Sequence, residues 1–245
     1  MDTRRIKRKY LAAGGLVALA LAAALPWARS KAEGPARPSQ FQFARLKFEA
    51  NSPFFDPRNG PPFSHDFPKA EQNLMRAVKE FTRISPYQDG IIVDVGSEDL
   101  FKYPVLYLCE VGYFSPSDKE VKNLREYLLR GGFIVVDDFP GGRDWSHFQQ
   151  EMKRAFPEKK WEPVTLEHPI FHTFFNIESL EFRSYRGWGH FEGMSDEKGR
   201  LMMIANVNND LSEFWEWADT PYLTVAETNE AFKIGINYVM YALSH

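Results

Sequence analysis

The sequence has 245 residues, of which 30 are basic and 33 acidic, so its formal net charge is −3 at pH 7. A chain with this acidic balance lacks the basic surface that binds nucleic-acid phosphates, and we expect no nucleic-acid partner. Its single cysteine, Cys109, excludes an internal disulfide framework and a cysteine-rich zinc site.

The first 32 residues have the order of an export signal. Basic residues precede an uncharged run at residues 11–25, and the small-residue sequence Ser30-Lys31-Ala32 follows. The run is shorter than the roughly 20 residues that span a bilayer, which favours cleavage and an exported, periplasmic or secreted protein. The alternative is an uncleaved inner-membrane anchor at residues 11–27, and only this segment would contact the membrane. The pair Arg4-Arg5 leaves the general and the twin-arginine export routes open.

The rest of the chain is predicted to form one acidic domain. Removal of residues 1–32 takes away seven basic residues and one acidic residue, so the formal charge falls to about −9. Residues 33–40, EGPARPSQ, are a proline-containing linker. Residues 41–245 are enough for a single α/β domain with its own core.

Strand-like and helix-like segments alternate along this domain. Apolar or alternating runs predict strands at residues 41–48, 91–95, 105–109 and 133–136, and helical spacing predicts helices at residues 68–83, 116–130, 144–156 and 227–243. An aromatic region at residues 161–217 favours further strands, the clearest at residues 201–207. The proline-rich residues 51–66 predict a long loop, and such loops are often functional. The alternation indicates a mostly parallel sheet with helices on both faces.

The second helix carries start and stop signals. Ser115 is predicted to be its N-cap, with Pro116 in the first turn and Asp118 three residues on. Gly131-Gly132 is predicted to end the helix before the apolar strand at residues 133–136.

The order of five motifs resembles the bacterial family called domain of unknown function 4159. The motifs are LYLCEVGYFS (residues 106–115), LREYLLRGGFIVVDD (124–138), Gly141-Gly142, EHPIFHTFF (167–175) and AFKIGINYVMYAL (231–243). The resemblance implies a flavodoxin-like, class I glutamine amidotransferase-like fold that is also similar to the ThuA-like proteins. It places Asp137, Asp138 and Phe139 where those relatives carry the nucleophile elbow, with Gly141 and Gly142 in the next turn. Because no serine or cysteine stands there, no glutamine amidotransferase activity is expected.

The paired aspartates leave several interpretations open. One of them could cap the next helix or hold backbone amides in the tight turn. One could instead bind a hard cation with Glu110 or Glu192, or act as a general acid or base. Successive strand residues point to opposite faces, so Asp137 and Asp138 can serve one substrate only if the turn has already begun.

Cys109 and His168 are further catalytic candidates. Cys109 ends a strand beside Glu110, and it needs a histidine within hydrogen-bonding reach to act as a nucleophile. The alternative is a buried strand-end residue. His168 and His172 have a spacing that suits metal ligands on a helix, but Pro169 between them favours a packed turn that His168 caps or bridges.

Residues 185–194 form a glycine-containing aromatic segment. Exposed aromatic rings can stack on sugars, whereas large aromatics more often belong to a core. The candidate ligand-binding residues are Trp188, His190, Glu192, Gly141, Gly142 and Trp145.

Two functional hypotheses follow. The first is a non-catalytic binding or assembly module of the cell envelope that recognises a glycan or a protein partner. The second is a hydrolase that uses Asp138, Glu110 and a histidine, with or without a metal. They differ in whether these three groups lie within about 3 to 4 Å of one open pocket. No glycine-rich phosphate motif occurs, and we expect no resident cofactor.

Overall fold

A computed structural model describes residues 40–50, 60–181, 183–184 and 187–245. Its strands are β1 (Ala44–Lys47), β2 (Ile91–Asp94), β3 (Val105–Cys109), β4 (Phe133–Asp137), β5 (Glu162–Pro163), β6 (Arg183–Ser184), β7 (Gly187–Trp188), β8 (His190–Ser195) and β9 (Leu201–Val207). Its α-helices are α1 (Lys69–Phe81), α2 (Asp118–Leu129), α3 (Arg143–Ala155), α4 (Leu211–Glu216) and α5 (Val225–Ser244).

The expected signal or anchor at residues 1–32 lies outside the described residues, as does nearly all of the expected linker. Within the described ranges, no helix is both long enough and apolar enough to cross a membrane.

Seven of the described strands form one sheet in the order β2-β1-β3-β4-β9-β8-β5. The first five are parallel to one another, whereas β8 is antiparallel to both β9 and β5. This confirms the predicted α/β class with a mostly parallel, flavodoxin-like sheet. The chain adds β2 on one side of β1 and β3 on the other. The carboxyl ends of β1 and β3 therefore border the crevice where open α/β sheets bind ligands.

Helices cover both faces of the sheet, as the sequence predicted. Val105, Tyr107 and Cys109 of β3 pack in one core cluster with α1 and α5, and the alternate residues Leu106 and Leu108 pack in a second cluster with α2 and α3. Every residue of β3 and β4 is buried. Burial on both faces explains why these strands read as continuous apolar runs without alternation.

The predicted N-cap of α2 was wrong by two residues. Ser117 is the N-cap, its Oγ accepts from Glu120 N at 3.4 Å, and Glu120 Oε2 accepts from Ser117 N at 2.6 Å. Ser115 also precedes an acidic residue by three positions, and Pro116 wrongly favoured the earlier start. The predicted stop was right, because Gly131 adopts φ +106° immediately after the helix.

Candidate functional site

Two strand-end turns form the floor of the candidate site. Glu110 follows β3 and Asp138 follows β4, and each has a left-handed backbone with φ of 51°. This conformation is unfavourable for residues other than glycine, and it often marks functional positions. Glu110 N donates a hydrogen bond to Asp138 O at 3.1 Å. The main chain therefore holds the two acidic residues side by side at the carboxyl edge of the sheet.

His65 reaches this edge from the loop that precedes α1. Its Nδ1 lies 2.6 Å from Asp138 Oδ2 and 3.9 Å from Glu110 Oε1. The His65 side chain is 50% exposed, whereas that of Asp138 is 0% exposed. The hydrogen bond with Asp138 raises the pKa of His65 to about 9. The imidazole therefore lies between a buried carboxylate and solvent.

Arg45 of β1 fixes the backbone of the loop that carries His65. Its guanidinium is buried and donates to the carbonyl oxygens of Phe63 and His65, and its Nε lies 2.5 Å from Glu71 Oε1. A buried arginine needs this degree of pairing to offset the loss of hydration. The arginine and the glutamate thus fix the loop against the sheet.

Asp137 plays a different part from Asp138. Its carboxylate accepts from Tyr107 Oη at 2.8 Å, from Asn206 Nδ2 at 2.9 Å, and from the backbone N–H groups of Leu211 and Ser212 at 2.9 and 3.1 Å. Burial raises the pKa of Asp137 to about 6, while the bonds from Asn206 and Tyr107 lower it. Asp137 holds the start of α4 against the sheet. His65 contacts the next residue, Asp138, and not Asp137.

Further carboxylates surround the His65–Asp138 pair. Asp66 Oδ1 lies 3.8 Å from His65 Nε2, and Asp66 Oδ2 accepts from Ser212 Oγ at 2.6 Å. Asp210, the N-cap of α4, is only 1% exposed and lies within hydrogen-bonding reach of the Asp138 carboxylate. Burial, followed by the charge of Asp138, raises the pKa of Asp210 well above its usual value.

Two groups of potential metal ligands share Asp66. The first is His65, Asp66 and Asp138, and the second is Asp66, Glu213 and Glu216; within each group the ligand atoms lie within 4.8 Å of one another. Burial raises the pKa of both Glu213 and Glu216. The site is therefore rich in carboxyl groups, some of which are protonated more readily than usual.

His65 and Asp66 were not among the residues singled out from the sequence. The proline-rich stretch at residues 51–66 was predicted to be a functional loop, and both residues lie at its end. The proximity of His65 to Asp138 depends on the buried contacts that Arg45 makes with the His65 loop. Such contacts leave no periodic signal in the sequence.

Cys109 and His168 lie in other surroundings. The Cys109 thiol is buried, its Sγ lies 3.4 Å from Arg45 Nη1 and 3.5 Å from Pro62 O, and burial raises its pKa well above the usual value. His168 Nδ1 accepts from Ile170 N at 3.1 Å and its ring packs on Tyr241, whose hydroxyl accepts from Leu201 N at the first residue of β9. His168 thus caps a turn at the opposite edge of the sheet from Asp138.

The aromatic candidates divide between surface and core. Trp188 is 62% exposed, whereas Trp145 is buried and stacks on Phe139 at 5.8 Å. Asn208 donates to Trp188 O at 3.0 Å and accepts from Gly141 N at 3.4 Å. Trp188 is therefore joined through one side chain to the turn that follows Asp138.

The other candidates lie around this turn. His190 Nε2 lies 3.6 Å from Glu192 Oε1 on β8, the neighbour of β9 in the sheet. Gly142 adopts φ +67° and ψ −117° immediately before α3. This backbone conformation requires glycine.

Comparison with known proteins identifies the family of this chain. The family described as Domain of unknown function (DUF4159) matches residues 42–243. A search of curated proteins found no match. Because the matched region covers most of the chain, including both strand-end turns and the loop of His65, this protein belongs to the DUF4159 family.

Proposed function

We propose that this protein is a hydrolase whose reacting groups are Glu110 and His65, with Asp138 orienting the imidazole, and whose substrate is an uncharged glycan. The observation that carries the proposal is the proximity of His65 Nδ1 to Asp138 Oδ2, at 2.6 Å, and to Glu110 Oε1, at 3.9 Å. A histidine held by a buried carboxylate is a recurrent arrangement in hydrolases.

The chemistry follows from which groups reach solvent. Asp138 is fully buried, so it orients the imidazole and does not contact the substrate. Glu110 takes a proton from the attacking water, the imidazolium of His65 gives its proton to the leaving oxygen, and the proton on Glu110 then returns to the imidazole. The net reaction adds water across the broken bond, with OH on one fragment and H on the other.

The glycan substrate is supported by charge and by Trp188. The carboxylates around His65 repel an anionic substrate, whereas a neutral sugar carries no such penalty. Trp188 exposes a ring at the same edge of the sheet, and such rings stack on sugars. An export signal at residues 1–32, or an anchor at residues 11–27, would bring the site to envelope glycans.

The fold relationship to class I glutamine amidotransferases and ThuA-like proteins is also part of the proposal. Asp138 follows the buried strand β4 in a strained turn, as a nucleophile elbow does. The side chain there is a carboxylate, so the proposed reaction uses water and not an enzyme-bound acyl group.

The test is hydrolysis of neutral oligosaccharides and their acetyl esters by the purified protein and by Glu110→Gln and His65→Gln variants. We expect turnover that falls at least about 100-fold in each variant while the melting temperature stays close to that of the wild type. Trp188→Ala should raise KM more than it lowers kcat. Glu197→Gln, an exposed carboxylate paired with Lys159, is the matched control. Turnover unchanged in the two site variants would refute the assignment.

A second candidate function is a glycan-binding module without catalysis, which the exposed ring of Trp188 also favours. In that case Trp188→Ala abolishes binding, and no bond in the sugar is cleaved. Substitutions of Asp137 and Asp138 would then act mainly on stability. Measurement of binding and turnover on one preparation separates the two functions.

A further inference from the structure

We infer that Trp217 and Tyr222 form a second sugar-binding subsite beside His65, and that the substrate is therefore an oligosaccharide chain and not a single substituted sugar. This inference rests on the proposed function, in which Trp188 is the first aromatic contact of the glycan. It names the substrate class of the same site.

Two exposed aromatic rings lie together after helix α4. The ring centroids of Trp217 and Tyr222 are 5.7 Å apart, their planes are inclined at 56°, and both side chains are exposed. With Thr220 and Pro221 they border a cavity of about 350 Å³. Small-molecule sites occupy roughly 300 to 1,000 Å³, so this cavity has the size of a site for a small ligand.

The turn that carries the two rings is held by its own contacts. Thr220 N and Oγ1 donate to Trp217 O at 3.0 and 2.8 Å, and Tyr222 N donates to Thr220 Oγ1 at 3.3 Å. The Lys69 ammonium lies over the Trp217 ring, 5.2 Å from its centroid, and pairs with Asp219 Oδ1 at 2.8 Å. The rings are therefore positioned before a ligand binds, which lowers the entropic cost of stacking.

Glu213 connects this cavity to the reacting groups. It lines the cavity and lies one helical turn before Trp217, whose N–H donates to Glu213 O at 3.1 Å. A carboxylate oxygen of Glu213 lies within 4.8 Å of one of Asp66, and Asp66 Oδ1 lies 3.8 Å from His65 Nε2. Burial raises the pKa of Glu213, and the charge of His65 opposes that rise. The aromatic cavity thus adjoins the surroundings of the imidazole.

Trp188 and Trp217 are reached from different nitrogens of the His65 ring. Nδ1 contacts Asp138, and the turn after Asp138 is joined to Trp188. Nε2 faces Asp66, which lies on the path to Trp217. A glycan chain that contacts both rings spans the imidazole, so it has sugar units on both sides of the bond that is cleaved.

The lining of the cavity favours a neutral sugar over other occupants. Aromatic rings stack on the C–H faces of sugars, and the carboxylate of Glu213 accepts hydrogen bonds from hydroxyl groups. The same carboxylate repels an anion. A hydrophobic protein surface would cover the carboxylate without supplying a donor, which is costly.

The experiment is a calorimetric titration with glucose and N-acetylglucosamine oligosaccharides, from the disaccharide to the hexasaccharide. A Glu110→Gln background prevents cleavage during the measurement. We expect affinity to rise with chain length. Trp217→Ala and Tyr222→Ala should each weaken hexasaccharide binding at least about tenfold and change disaccharide binding much less, because a short ligand can still occupy the Trp188 end.

The matched control is Tyr87→Ala, which removes an exposed tyrosine at the amino edge of the sheet and should leave the length dependence unchanged. Tyr222 is more exposed than Trp217, so Tyr222→Ala decides the question even if Trp217→Ala fails to fold. No binding of any oligosaccharide, equal affinity at all lengths, or an unchanged profile in folded Tyr222→Ala would overturn the inference. Self-association that Tyr222→Ala abolishes would assign the rings to a second copy of the chain and would also overturn it.

Turnover distinguishes this inference from the proposed function. Wild-type turnover that Glu110→Gln abolishes, without any length dependence of binding, removes the subsite and keeps the hydrolase. Length-dependent binding through Tyr222, without turnover by the wild type, removes the hydrolase and keeps the subsite.

Discussion

Asp137 and Asp138 are consecutive residues whose carboxylates serve different parts of the molecule. Asp137 accepts four hydrogen bonds from Tyr107, Asn206 and the first residues of α4, whereas Asp138 contacts His65 at the edge of the site. The change from strand to left-handed turn occurs between them, and it separates a carboxylate that anchors α4 from one that contacts His65.

This division predicts opposite effects of two matched substitutions. Asp137→Asn replaces an acceptor by a donor that faces two backbone N–H groups, so it should lower the free energy of unfolding by about 2 to 3 kcal/mol. Asp138→Asn should change that free energy by less than about 1 kcal/mol, because its partner His65 is half exposed, and should abolish hydrolysis. Urea denaturation and turnover on the same samples test both expectations. Equal losses of stability in the two variants would show that the division is wrong.

The capping box of α2 gives a second prediction. Ser117→Ala removes the side-chain acceptor for Glu120 N and should lower the free energy of unfolding by about 1 kcal/mol. Ser115→Ala, two residues earlier, is the control and should have little effect. Thermal and urea unfolding measure both variants, and a larger effect at Ser115 would place the helix start at the earlier serine.

The turn after Asp138 gives a third prediction. Gly142→Ala forces a side chain into φ +67° and ψ −117°, which should cost about 1 to 3 kcal/mol. At Gly141 an added Cβ would meet Asn208 Cβ at 3.6 Å and Val207 Cγ1 at 3.7 Å, which is ordinary contact. Gly141→Ala should therefore stay within about 0.5 kcal/mol of the wild type in denaturant unfolding. Equal tolerance of both changes would contradict the turn geometry.

A fourth prediction concerns the pH dependence of stability. It depends on His168, which lies away from the candidate site. Burial, together with the charge of His245, lowers its pKa below the usual 6.5. The unfolded chain therefore binds a proton first as pH falls through 6.5, so this residue contributes a loss of stability on the acid side. His168→Asn keeps an oxygen that can accept from Ile170 N and removes the titration. The fall in unfolding free energy between pH 8 and pH 5.5 should be smaller in the variant; an equal fall would exclude the assignment.

The sequence predicted the strands and turns that carry the site better than the full set of side chains that lie together there. Apolar runs and the Gly131-Gly132 stop located β3, β4 and the helix between them, and the parallel arrangement implied that Glu110 and Asp138 would be neighbours. These features depend on local patterns, which a sequence carries directly.

The remaining residues of the candidate site lie in segments that no local sequence pattern connects. His65 and Asp66 end an aperiodic loop, and Asp210 begins a short helix far along the chain. Their meeting depends on buried contacts such as Arg45 with Glu71, which are set by tertiary packing. The different contacts of Asp137 and Asp138 depend on where β4 ends. The boundaries of strands and helices are the least predictable feature of a sequence.

The hydrogen bond from Glu110 N to Asp138 O joins the two strand-end turns through main-chain atoms alone. The spacing of these two positions is consequently independent of the side chains they carry. A substitution at either position changes the group that faces His65 and keeps this main-chain bond. The two turns therefore stay joined when a side chain at either position is exchanged.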